Sequence, residues 1–330
     1  MSGGRLRLGT RGSALALWQA REVARRLQEA GGPGADLVTI RTSGDRLQDA
    51  PLAEAGGKRL FVKEIEDALL RGEIDLAVHS SKDMPAVAVD GLEIVGVLPR
   101  EDPLDAVVLP GGGAAGGHVA ISTVDDLAKR LGASPVIGTG SVRRIAQLTR
   151  LLPGARFVGI RGNVETRLRK LDEGGYDALV LAAAGLRRLG FGGRISFALP
   201  ATACVPAPGQ GIVAVEARRD DEAVRRAVSR IDDPAARAAL TAERAVVEAL
   251  GGGCQVPIGA YAHALDADSF ELTAIVVALD GSEAVHARLR GPWTEAPAIG
   301  ARAAEQLIRE GAAAILAEAQ RPAAARADRA

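Results

Sequence analysis

The sequence predicts an α/β protein: two successive strand–helix units on mainly parallel sheets, then a smaller unit of strands and helices. Two observations predict it. Up to about residue 230, short apolar runs of strand length alternate with stretches of helical period, and such alternation builds parallel sheets with helices on their faces. Beyond residue 250, strand patterns follow one another near 258–264, 270–279 and 284–290, before two closing helical stretches.

Composition bounds the function. The 330 residues allow two or three domains with ample core. Aromatic residues are only 3%, so Ala, Leu, Val and Ile must fill that core. Lys and Arg total 41, as do Asp and Glu, which argues against nucleic acid or an anionic membrane recognised by bulk charge. No apolar run reaches the length of a membrane span, and the N-terminus lacks a charged segment leading into an apolar one. Cys204 and Cys254 are the only cysteines, so neither a disulfide framework nor a cysteine-rich metal cage is expected, and the protein reads as cytoplasmic and reduced. Lysine is confined to Lys58, Lys63, Lys82, Lys129 and Lys170 while arginine is abundant. A single arginine therefore carries little functional information here; a lysine that persists carries more.

Arg5 to Leu8 alternates as a strand and runs into Gly9-Thr10-Arg11-Gly12-Ser13, then a helix with Leu15, Leu17, Trp18, Val23 and Leu27, ended by Gly31-Gly32. Ser13 is the expected N-cap. A strand, a short glycine-bearing loop and a helix start make an anion site, because free N–H groups and the helix dipole point at the loop, and Arg11 adds a guanidinium. The alternative is an ordinary turn. Residues 36–42 read as the second strand. A long polar stretch with Gly56-Gly57-Lys58-Arg59 reads as a lid before a helix carrying Phe61, Val62, Ile65 and Leu69.

Residues 75–78 read as a buried strand, ending in His79-Ser80-Ser81-Lys82-Asp83-Met84-Pro85. In sheets of this kind ligands bind beyond the carboxyl ends of the strands. Residues 92–97 form another strand, and Pro99 to Pro103 a crossing segment. The second unit holds a Gly/Ala-rich insert at Gly111–Gly117, a Thr123/Asp126 capping box, and two more strand–loop–helix junctions. One runs through Val136-Ile137-Gly138 to Ser141, Arg143 and Arg144. The other runs through Arg161 to Asn163, the expected N-cap, and on to Arg167. Residues 177–181 read as a strand with a helix to Gly190. Residues 210–216, after Pro206-Ala207-Pro208-Gly209, read as a strand that returns to the first sheet. Residues 234–250 read as a helix.

Three sets of residues carry chemistry. Gly251-Gly252-Gly253-Cys254-Gln255-Val256-Pro257 holds a thiol out on a loop, where bulk is absent on one side and Pro257 fixes the exit. The alternative is a turn that happens to contain cysteine. Asp83 is the only acid of its loop and suits proton transfer or stabilisation of a passing positive charge; equally, it suits an Asx-turn that caps its own loop. Arg11, Arg143, Arg144, Arg161 and Arg167 recur at equivalent junctions, and guanidinium forks there bind carboxylates.

VHSSKDMP at 78–85, GTGSVRR at 138–144, RGNVETRL at 161–168, APGQG at 207–211 and GGCQVPIG at 252–259, with LGTRGSALALWQA at 8–20 and GGKRLFVKE at 56–64, resemble hydroxymethylbilane synthase, also called porphobilinogen deaminase. The resemblance spans nearly the whole chain in order. It implies two doubly wound α/β lobes flanking a cleft (1–98 with 210–230, and 103–206), a smaller α+β C-terminal domain with a three-stranded sheet (233–320), and a disordered tail from 321. It implies head-to-tail condensation of four porphobilinogen molecules with loss of ammonia, on a dipyrromethane cofactor joined through a thioether to Cys254. Asp83 would be the catalytic acid. Lys82, Ser141, Arg143 and Arg144 would hold cofactor carboxylates; Arg11, Ser13, Arg161 and Arg167 would hold substrate; Lys58 and Phe61 would belong to the lid. No metal, nucleic acid or membrane is implied. A monomer with a transient hand-off to uroporphyrinogen-III synthase is. Cys204 matches no anchor motif and reads as a packed thiol.

The chain departs from the family pattern at Gly140, where serine is common, at Arg59, where glycine is usual, at Leu104, where arginine is frequent, and in the Gly111–Gly117 insert. None touches Asp83 or Cys254. The rival reading is a two-lobed, non-catalytic anion- or solute-binding protein. It accounts for the arginines and leaves Asp83, Cys254 and the third domain idle.

Overall fold

The computed structural model describes residues 4–43, 62–111, 121–251 and 256–321. In the first sheet β1 (Leu6–Thr10) pairs in parallel with β2 (Ala35–Thr39) and with β3 (Leu76–Ser80). β4 (Leu92–Val97) forms the far edge, and β10 (Val213–Arg218) lies antiparallel between β3 and β4, giving the order β2-β1-β3-β10-β4. The second sheet repeats this plan. Its strands are β5 (Asp105–Val108), β6 (Val136–Gly138), β7 (Arg156–Val158), β8 (Ala178–Ala182) and β9 (Phe197–Leu199), in the order β7-β6-β8-β5-β9 with β5 antiparallel to both neighbours.

In each sheet the antiparallel strand is the one the chain reaches directly from the other sheet. β4 leads through residues 98–104 to β5, and β9 leads through 200–212 to β10. The two crossovers lie side by side: Leu98 N–H donates to Val213 O at 3.0 Å and Glu101 N–H to Gly211 O at 3.1 Å. Gly211 has φ +88°, and a Cβ there would run into the Glu101 carbonyl, so only glycine lets the strands approach this closely. The returning strand starts at Val213, later than expected, because Gln210 to Ile212 belong to the crossover turn. β5 and β9, of 4 and 3 residues, are too short for alternation to single them out in the sequence.

Local chemistry sets the helices. Ala14–Glu29 starts at Ser13, whose Oγ accepts from Ala16 N–H at 3.3 Å, and buries Ala20, Val23 and Leu27 on one stripe. Val124–Leu131 starts with the capping box of Thr123 and Asp126, and Val164–Asp172 with Asn163 as cap. Across the lobes, the Arg188 guanidinium of the Ala183–Arg188 helix lies 5.5 Å from the Trp18 ring and donates to Gly211 O at 2.7 Å.

The third unit is an antiparallel meander of β11 (Ile258–Ala264), β12 (Ser269–Val277) and β13 (Ala284–Pro292), covered by the helices Pro234–Ala249, Ala296–Arg309 and Ala312–Gln320. Its core gathers Phe270, Leu272, Val246, Ile299 and Leu307, with Phe270 stacked on Trp293 at 4.4 Å. Two doubly wound lobes and a smaller C-terminal unit are therefore present. No described helix is long and apolar enough to cross a membrane.

Candidate active site

β3 ends at Ser80, and Ser81–Asp83 forms one 3₁₀ turn closed by Met84 N–H on Ser81 O at 3.1 Å. Ser81 and Met84 are buried beneath the turn. Gly209 of the second crossover, at φ +72°, packs against it so closely that a Cβ would sit 2.5 Å from Ser81 Oγ. The loop is thus seated on the crossover. Asp83 is half-buried, and its carboxylate makes no hydrogen bond or ion pair among the described residues. It does not cap its own loop, so the Asx-turn alternative is not what this acid does. Its neighbour Lys82 donates to Gln210 Oε1 at 3.3 Å. Burial pushes the Lys82 ammonium down to about 8; Arg144 and Arg143 act in the same direction, while Asp83 and Asp105 oppose them.

Ser141 caps the Val142–Leu151 helix, its Oγ accepting from Arg144 N–H at 3.4 Å. Arg143 and Arg144 occupy the first turn and are 4% and 7% exposed. Both meet a carboxylate the sequence reading missed. Arg143 Nη1 lies 2.7 Å from Asp105 Oδ2, and Arg144 Nη2 lies 2.7 Å from Asp105 Oδ1. Arg143 also donates to Val205 O at 2.7 Å, and Arg144 to Val180 O at 2.9 Å. Burial alone would raise the Asp105 pKa; the two guanidiniums and the Gln210 amide override it and hold the acid well below the usual carboxylate range. Burial likewise opposes the charge on Arg143, but Asp105 overrides it and the pKa rises. Cys204 lies beneath, fully buried, with Sγ 3.3 Å from Asp105 Oδ2. Burial, with Asp105 beside it, pushes this thiol up to about 12.

Arg161 and Arg167 flank Asn163, the cap of the next helix, and Arg167 Nε donates to Gly162 O at 2.8 Å. Neither guanidinium meets a carboxylate within ion-pair distance among the described residues. Burial, then Arg144 and Arg161, push Arg167 down to about 10, and Asp83 opposes them. The acid of the first lobe and the arginines of the second therefore share one electrostatic field. Arg11 and Ser13 follow β1, which runs parallel to β3, so they lie at the same carboxyl edge as Asp83. Gln19, which lies in the 8–20 motif without a role assigned from sequence, is 2% exposed and ties this helix to the end of β3 through Nε2 to Ser80 Oγ at 2.8 Å. Lys58, Phe61 and Cys254 lie outside the described residues, as do most of the Gly111–Gly117 insert and the residues after Arg321.

Lys82, Arg143, Arg144, Arg161 and Arg167 outnumber the acids Asp83 and Asp105 that face them. Such a surplus of partly desolvated cations suits a ligand bearing several carboxylates, and the unengaged Asp83 carboxylate suits a positive charge that forms on it.

Residues 6–226 match the family model described as porphobilinogen deaminase, dipyromethane cofactor binding domain, and residues 238–309 the model for the porphobilinogen deaminase C-terminal domain. The chain is 46% identical over 315 residues to the porphobilinogen deaminase of Geobacter sulfurreducens, covering 95% of this chain and 94% of that one. It is 44% identical over 318 residues to that of Syntrophobacter fumaroxidans, covering 96% and 98%. Among solved structures, immunogenic lipoprotein A from Vibrio vulnificus is similar with a TM-score of 0.42 and 15% identity over 72% of this chain and 99% of that one, a likeness too slight to bear on function. On these matches the chain belongs to the porphobilinogen deaminase family.

Proposed function

We propose that the protein is a hydroxymethylbilane synthase: it joins four porphobilinogen molecules head to tail and delivers linear hydroxymethylbilane to tetrapyrrole biosynthesis. The observation that carries the reading is the chain-long relation to porphobilinogen deaminases, and the cations gathered around Asp83, whose carboxylate is unengaged among the described residues, give it a physical basis. Each condensation breaks the bond between the aminomethyl carbon and nitrogen, releases ammonia, and joins that carbon to the free α-carbon of a terminal pyrrole, which loses its proton. Water closes the sequence by releasing the chain as the hydroxymethyl compound.

The residues fit a dipyrromethane: its acetates and propionates call for cations, and Asp105 balances only one of the two guanidinium charges it holds. When bound, the group supplies the pyrrole α-carbon from which the chain grows. Lys82, Ser141, Arg143 and Arg144 hold its carboxylates in our reading, and Cys254 anchors it. Arg11, Ser13, Arg161 and Arg167 hold the incoming substrate, Lys58 and Phe61 belong to the covering lid, and helix N-termini add to the field. Asp83 contacts the pyrrole N–H, assists departure of ammonia, and stabilises the cation left behind. We divide the chain into 1–98 with 210–230, 103–206, and 233–320, a division that the grouping of the strands into three sheets supports. A cytoplasmic monomer that hands its product to uroporphyrinogen-III synthase completes the proposal, on the strength of the family resemblance.

The test is an intact mass of the purified protein beside Cys254→Ser. An excess equal to two porphobilinogen units less two ammonias, absent from the variant, is the expected result. A bare mass in a protein active on porphobilinogen overturns the anchor; a bare mass without activity, even after incubation with porphobilinogen, overturns the enzyme.

A further inference from the structure

The Ala207–Gly211 motif holds one side chain for which the reaction above has no task. Gln210 is fully buried in the second crossover. Its amide is engaged from both lobes. Oε1 accepts from Lys82 Nζ at 3.3 Å, while Nε2 donates to Asp105 Oδ1 at 2.9 Å and to Pro103 O at 2.7 Å. Lys82 precedes Asp83 on the loop after β3, in the first sheet; Asp105 opens β5, in the second sheet, and carries Arg143 and Arg144.

The backbone of Gln210 is held as well. Its N–H donates to Ala207 O at 2.9 Å, and its carbonyl accepts from Arg100 Nε at 2.9 Å, so the side chain does not shift without the crossover. A primary amide has a donor end and an acceptor end and no charge. Between an ammonium and a carboxylate it satisfies both while leaving their charges available to a ligand. Glutamate, of nearly the same shape, satisfies Lys82 but sets a second carboxylate against Asp105; leucine satisfies neither.

We propose that Gln210 is a positioning residue that holds the Lys82–Asp83 loop of one lobe in register with the Asp105-anchored arginine pair of the other. The acid of one lobe and the carboxylate-binding cations of the other then face the same ligand. The inference rests on the function proposed above.

The test compares Gln210→Glu and Gln210→Leu with the parent protein, each first weighed intact for its cofactor and melted to establish folding. With the loop out of register, kcat per loaded molecule falls about tenfold to a hundredfold while KM for porphobilinogen stays within roughly threefold. The pH dependence separates positioning from mere stability. The charges that act on Lys82 are Asp83, Asp105, Arg143 and Arg144. With Lys82 in register, kcat is expected to fall as its ammonium loses its proton; replacing the amide by a carboxylate is expected to move that fall to higher pH, and replacing it by leucine to lower pH. A purely structural role lowers the melting temperature and leaves the alkaline limb in place. Loaded variants with parental kcat and an unmoved limb overturn the proposal, as does recovery of both variants only as unfolded protein. A parent protein without turnover on porphobilinogen overturns instead the function on which the proposal rests.

Discussion

One oxygen of Asp105 takes two nitrogens of Arg144, Nε at 2.9 Å and Nη2 at 2.7 Å, while its other oxygen takes Arg143 Nη1 at 2.7 Å. Two guanidiniums on one carboxylate leave one positive charge over in a buried place. That arrangement fixes the direction of both arginines while neutralising only one of their two charges, as a receptor for ligand carboxylates requires.

Replacing Asp105 by leucine removes the only carboxylate that lies, among the described residues, within ion-pair distance of these two buried cations. Losing one partner of a buried ion pair costs on the order of 3–5 kcal/mol. Asp105→Leu is therefore expected to lower unfolding free energy by about that amount in urea titration and to be recovered without cofactor. The acid's pKa is lowered in the folded state, so its stabilisation is present above the unfolded carboxylate range and is lost as pH falls through the folded value. Stability and mass unchanged by the substitution would remove Asp105 from this role.

The two cysteines are expected to differ completely. Cys204 is fully buried with a thiol pushed up to about 12, so almost none of it is thiolate near neutral pH, and the thiolate is the reactive form. Cys204→Ala is expected to load cofactor to the same mass as the parent, whereas Cys254→Ser is expected to stay bare. A bare Cys204→Ala protein that melts normally would transfer the anchor to the buried thiol.

The parts of the site legible in the sequence are those made by neighbours in the chain. Ser13, Thr123 and Asn163 bond to a backbone N–H three residues on, and the sequence spacing displays this directly. Asp83 is placed by the end of β3, a run of apolar residues that any strand reading finds. Asp105 is different. It meets Arg144 across 39 residues through the antiparallel insertion of β5 beside β8, and Gln210 across 105 through the pairing of the two crossovers. The same holds for Gln19, bonded to Ser80 across 61 residues. Arg143 and Arg144 read in sequence as open forks; their burial and their shared acid follow from a sheet register that local patterns do not encode.

Lys82 makes the site sensitive to alkali. Its pKa falls from 10.5 to about 8 in the fold, so between these values the unfolded chain binds more protons and the stability of the cofactor-free protein rises with pH. Carboxylate binding has the opposite demand, because it needs the ammonium. Loading of cofactor-free protein from porphobilinogen is therefore expected to weaken as pH passes about 8. Lys82→Arg should move that loss to higher pH, since a guanidinium keeps its charge. Loading that is flat through this range in the parent protein would exclude Lys82 from carboxylate binding.

Glu243 ties the three units together. It is fully buried on the Pro234–Ala249 helix, and its carboxylate accepts from Arg100 Nη1 at 2.6 Å, from Gly209 N–H at 2.6 Å and from Ala262 N–H at 2.8 Å. Arg100 stands on the first crossover, Gly209 on the second, and Ala262 on β11 of the third unit. Glu243→Leu strips all of these at once and is expected to cost on the order of 3–5 kcal/mol. Glu243→Gln keeps the shape but has one acceptor oxygen, so at least one buried N–H loses its partner, for about 1–3 kcal/mol. Because the lost bonds join units rather than build any one of them, calorimetry of Glu243→Leu should resolve two transitions in place of one, with the third unit melting apart from the lobes. A single transition at the parental temperature would mean that packing alone, without this carboxylate, holds the third unit in place.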